Sequence, residues 1–141
     1  MKATARINNQ NGASMVEFAI VLPVLLLLIF GMIEFSVMLY DKAMLTNASR
    51  EGARLGILYD YPTRITTAEM NNTVDNYLQN HLISLGGAST WSTSVSGTCT
   101  AAGDPITVTV TYDYNFLVLP NLMTSMAPTL TLGATTTMRC E

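Results

Sequence analysis

The side chains able to do chemistry are few: one histidine (His81), two cysteines (Cys99 and Cys140), and ten acidic residues against seven basic ones, for a net charge of −3. No Gly-rich phosphate loop accompanies them, and no cluster of carboxylates sits beside a base, so neither acid–base nor nucleophilic catalysis finds its parts. A metal site is not expected, because the lone histidine falls at a position read as the apolar face of a helix. No cofactor is implied. The acidic balance and a pI near 5.0 also exclude the cationic footprint that nucleic-acid binding requires. The chemically suggestive residues lie near the start: Gly12-Ala13-Ser14-Met15-Val16-Glu17-Phe18, a small-residue junction followed by one carboxylate at the head of an apolar stretch.

That stretch must position whatever the junction does. Residues 18–33 carry no charge, and the apolar character continues through Phe35, Val37, Met38, Leu39 and Tyr40. A helix needs about 20 mostly apolar residues to cross a hydrocarbon layer of about 30 Å. Residues 16–40 meet that need with one carboxylate near each end, Glu17 and Glu34. The chain has 141 residues, 49% hydrophobic and 12% charged, and the part outside the stretch is too small to bury such a helix as a core. A membrane span in the lipid bilayer is expected. Lys2 and Arg6 precede it with no acid among residues 1–12, so the positive-inside bias puts the N-terminus in the cytoplasm and the C-terminal part outside.

Gly12 with Glu17-Phe18 four residues beyond the Gly12–Ala13 bond, ahead of an apolar helix, resembles the processing and assembly motif of type IV prepilins. The resemblance implies a basic leader over residues 1–12, cut by an inner-membrane prepilin peptidase between Gly12 and Ala13. It also implies subunit docking through Glu17 and Phe18. Physics independent of the family agrees. A lone carboxylate drawn into hydrocarbon costs at least a few kcal/mol. Cleavage would create an ammonium on Ala13 able to neutralise Glu17 of a neighbouring copy and so fix axial register. A carboxylate resting at the membrane surface is the bland alternative.

The resemblance narrows with Met15-Val16-Glu17-Phe18-Ala19, Leu22-Pro23, Phe30-Gly31 with Glu34-Phe35, and Arg50-Glu51-Gly52-Ala53-Arg54. Together these look like the TadE-like family, minor pilins or pseudopilins of the tight-adherence (Flp) pilus. Other pilin and pseudopilin subunits, and the pilus assembly machinery of the bacterial inner membrane, are the implied partners, with cell adhesion the implied end. The resemblance covers roughly residues 12–56. An uncleaved single-pass membrane protein with an outer scaffold or binding domain is the alternative.

Other positions have physical readings of their own. Pro23 removes a backbone donor and is expected to kink the helix. Glu34 is either an interfacial carboxylate at the outer leaflet or a charge contacting another subunit. Ala48, Gly52 and Gly56 recur every four residues and form a stripe open to close backbone approach. The stripe would serve either the chain's own globular part, which is favoured, or a neighbouring helix. Gly52, Arg54 and Gly56 with Glu34 are thus the possible inter-subunit contacts.

The expected fold class is α+β: a long helix over 13–60, transmembrane in its first half, then a small extracytoplasmic domain over 61–141. There Thr66 and Glu69 form a capping box. Met70, Val74, Tyr77, Leu78, His81, Leu82 and Leu85 follow at helical spacing until Gly86-Gly87, predicting a helix of about 20 residues. Alternation over 106–114 and 129–138 predicts two strands, with a weaker third around Trp91–Val95. One amphipathic helix would then cover a few-stranded antiparallel sheet, with a long connection from Phe116 to Pro128. Outside the cytoplasm Cys99 and Cys140 are expected to form a disulfide, two free thiols being the alternative.

Overall fold

The computed structural model describes residues 10–60, 63–84, 90–116 and 130–140. Helix α1 spans Gln10–Ile57, 48 residues with Pro23 inside it, and is about 72 Å long at 1.5 Å per residue. It does not stop at the proline. A two-residue hairpin, β1 (Tyr59–Asp60) and β2 (Thr63–Arg64), follows, and then helix α2 (Thr67–His81). Strands β3 (Thr90–Ser96), β4 (Pro105–Tyr114) and β5 (Leu130–Arg139) form an antiparallel sheet in the order β3-β4-β5. The α+β arrangement and all three strands agree with the alternation in the sequence.

The two halves of α1 have different surroundings. From Met15 to Ile33 the large side chains other than the half-buried Leu22 are exposed, Met15 by 75% and Phe18 by 63%. From Glu34 onward a stripe is buried: Glu34, Asp41, Leu45, Ala48, Ser49, Gly52, Ala53 and Gly56. Steps of three, four and seven keep these residues on one helical face. That face meets Met70, Val74 and Leu78 of α2 and Ile106, Val108, Val110, Tyr112 and Tyr114 of β4. Half of α1 is therefore core, and the packing unit runs from Glu34 to Cys140.

The helices α1 and α2 lie antiparallel at close range. A Cβ at Gly52 would stand 2.6 Å from a Val74 methyl, and one at Gly56 would meet the Met70 sulfur and Ile106. The small stripe thus packs within the chain, as favoured from its spacing. Close approach lets branched and long side chains of α2 and β4 fill the groove that a Cβ would occupy.

Helix α2 departs from its expected length. Its capping box is present, Thr66 accepting from the Glu69 N–H while Glu69 accepts from the Thr66 N–H at 2.7 Å. The helix ends at His81, short of Gly86-Gly87, because Leu82 turns to an extended conformation. The next backbone N–H, that of Ile83, donates to Asp41 Oδ1 of α1 at 3.1 Å. A tertiary acceptor ends the helix before its own sequence signal does. His81 is a second correction: it is exposed, stacked on Tyr77 with ring centroids 4.3 Å apart, and does not join the apolar face of Met70, Val74 and Leu78. Residues 85–89, with Gly86-Gly87, and most of the Phe116–Pro128 connection lie outside the described residues.

Candidate functional site: the apolar helix and its junction with the domain

The Gly12–Glu17 segment lies in the first turns of α1, whose helical conformation includes the Gly12–Ala13 bond. Glu17 and Phe18 are both exposed, at the start of the uncovered half of the helix. Among the described residues one helix is long and apolar enough to cross a membrane. Most of the exposed large apolar side chains belong to this half, and none of the described residues of the domain covers it.

At the other end of that half stands Glu34, only 6% exposed. Tyr114, the last residue of β4, donates its hydroxyl to Glu34 Oε1 at 2.7 Å. Burial, then the bond to Glu34 and the nearby carboxylates, holds the Tyr114 phenol well above the ordinary tyrosine range. It therefore stays a donor at any physiological pH. Phe116 packs edge-to-face on Tyr114, and Tyr114 does the same on Tyr112.

One turn pair further along, Asp41 is fully buried. Its Oδ1 accepts the Ile83 N–H, while Oδ2 has no hydrogen-bond partner among the described residues. Desolvation raises its pKa, and the Ile83 bond only partly offsets that. Lys42 donates across to the Gly133 carbonyl of β5, and Ser49 shares a 2.7 Å hydrogen bond with Thr136. Polar bonds thus fix α1 to the domain at four levels: Glu34, Asp41, Lys42 and Ser49.

The sequence-derived positions separate into three groups. Gly12, Ala13, Glu17 and Phe18 lie together at the free end of α1. Gly52 and Gly56 are taken up inside the chain against α2 and β4, while Arg54 is exposed and pairs with Glu51 at 3.6 Å. Glu34 is occupied by Tyr114. Asp41 and Tyr114 were not singled out from sequence, although Asp41 stands seven residues after Glu34 and seven before Ala48, on the same face. Cys99 and Cys140 form a disulfide, with Cα atoms 5.6 Å apart, that ties β5 to the connection before β4. No group of three or more His, Cys, Asp or Glu side chains among the described residues is placed to hold a metal ion.

These features define a class: a single apolar helix of membrane-crossing length, merged through its second half into a small disulfide-closed α+β domain. The sequence model of the TadE-like protein family matches residues 12–54, consistent with a TadE-like protein of the tight-adherence pilus system. The match covers most of α1 and stops before α2 and the sheet. The matched segment includes the part of α1 that is long and apolar enough to cross a membrane. No curated protein and no solved structure matches the chain.

Proposed function

We propose that the chain is a minor pilin, or pseudopilin, of a tight-adherence pilus. In this reading it enters the inner membrane with residues 1–12 as a cytoplasmic leader and the span within residues 16–40, its hydrocarbon-crossing part ending before the covered Glu34. The domain beyond faces the periplasm or the cell exterior. Prepilin peptidase cuts after Gly12, and the chain then assembles with other pilin subunits through its apolar helix, supporting adhesion by a non-enzymatic role.

The observation that carries the proposal is the placement of Glu17 at the head of a helix half left entirely uncovered. Lipid can satisfy the apolar side chains of that half, but it cannot satisfy a carboxylate. The ammonium that cleavage would place on Ala13 of a neighbouring copy can, because it matches the charge and reaches the level of Glu17 when that copy is displaced by four residues, about 6 Å, along the helix axis.

Intact mass of the full chain recovered from membranes tests processing: the mass of residues 13–141 is expected, and persistence of Met1 in cells holding the peptidase refutes it. Glu17→Ala is expected to leave insertion and cleavage intact while removing the protein from cross-linked pilus complexes. Wild-type incorporation of that variant would refute charge pairing.

A further inference from the structure

The exposed part of α1 ends where the domain begins, with no stalk between them. About 20 residues of helix span 30 Å of hydrocarbon, and Ser14–Ile33 supplies that length before Glu34 is covered by Tyr114. Described residues of the domain therefore reach the axial level at which the apolar span ends. At that level α1 exposes Phe35 (56%), Leu39 (52%) and Tyr40 (40%). The sheet adds Leu130, paired with Tyr114 at the end of β5, and Phe116, two residues beyond the end of β4, both partly exposed. Lys42 stands just beyond the aromatic residues, and Asp113, the nearest exposed carboxylate on β4, is turned to the outer face, where Thr131 donates to it at 2.8 Å. The residues 117–129 that join Phe116 to Leu130 contain no charged side chain.

We propose that this end of the domain, formed by Phe35, Leu39, Tyr40, Phe116 and Leu130, is a lipid-docking surface seated in the headgroup layer of the membrane that α1 crosses. Aromatic side chains concentrate at that layer because their rings tolerate both the acyl boundary and water. The surface is continuous with the lipid-facing half of α1, so reaching it requires no further insertion. The domain is then held end-on at two points, the helix and this rim. Its far end, where Cys99 lies against the Gly56 carbonyl, stands about 33 Å further along α1.

This inference rests on the membrane reading of α1, and its test separates the two. The full chain with Trp91→Phe, carrying one new tryptophan, is reconstituted in vesicles of phosphatidylethanolamine and phosphatidylglycerol doped with lipids brominated just below the headgroup or deep in the acyl chain. Phe116→Trp and, independently, Leu130→Trp are expected to lose fluorescence to the shallow bromines. Leu28→Trp is expected to lose it to the deep ones, and Thr100→Trp to neither. Quenching at Leu28→Trp with none at Phe116→Trp and Leu130→Trp would overturn the docking surface and leave the span standing. Equal quenching at Thr100→Trp would overturn the end-on seating. No quenching at Leu28→Trp would remove the span and the docking surface together.

Discussion

Replacing Tyr114 with phenylalanine removes one hydroxyl from the joint between the helix and the domain. The structure sets the magnitude. The hydroxyl donates to Glu34 Oε1 at 2.7 Å, and the two residues are 2% and 6% exposed, so water cannot take its place. A hydrogen bond to a charged group contributes about 1.5–3 kcal/mol, and removing one partner leaves the other desolvated. Tyr114→Phe should therefore cost about 2 kcal/mol, which for a domain of this size lowers Tm by about 10 °C. The assay is thermal unfolding of the full chain in detergent micelles, followed by near-ultraviolet circular dichroism. Tyr112→Phe is the matched control: Tyr112 is 3% exposed, yet its hydroxyl makes no hydrogen bond among the described residues. A pH arm adds an independent reading. Because the folded phenol is held above its unfolded value of 10.0, its contribution is complete below pH 10 and is lost as pH rises through the folded value. Wild type should lose stability on the alkaline side more steeply than Tyr114→Phe. If Tyr114→Phe matched Tyr112→Phe in Tm and showed the wild-type alkaline slope, the Glu34–Tyr114 bond would not be what fixes the helix to the sheet.

Two further substitutions probe the same face. Asp41, raised above its usual value of 3.8 by burial, favours the protonated form when folded; its contribution is therefore greatest at low pH and is lost as pH rises through the folded value. Asp41→Asn, which keeps an acceptor for Ile83, should flatten the acid limb of the Tm–pH curve, and an unchanged limb would refute the assignment. Gly52→Val would drive a branched side chain into Val74 and Val108, an overpacking cost of about 1–3 kcal/mol, read as a lower midpoint in urea; a midpoint equal to wild type would show that α1 and α2 are not in close contact.

Much of the fold is legible in local pattern. Strict alternation through Ile106, Val108, Val110, Tyr112 and Tyr114 specifies β4 because a strand with one covered face has a period of two. Thr66 and Glu69 mark the start of α2 by satisfying its first N–H groups. The end of α2 is not legible, since Asp41 of another helix, 42 residues away, takes the Ile83 N–H. Nor is the solvation of His81, whose place in the helical pattern suits an apolar face until the crossing direction of α1 decides which face is covered.

The sequence by itself determined the long apolar run, the small-residue junction with Glu17 at its head, the strand pattern and the one candidate pair of cysteines, Cys99 and Cys140. Each of these depends on neighbours along the chain, on the length of an apolar run or, for the cysteines, on there being a single pair to join. Only the tertiary structure decided where the exposed half of α1 gives way to core, and that Glu34 and Asp41 are held inside the molecule rather than offered to solvent. Both depend on which surface of the helix the sheet covers, and that is set by Gly52 and Gly56 admitting Val74 and Met70 at close range. Burial of a carboxylate is a property of what surrounds it, so the character of these two acids appears only when α2, β4 and β5 are folded against α1.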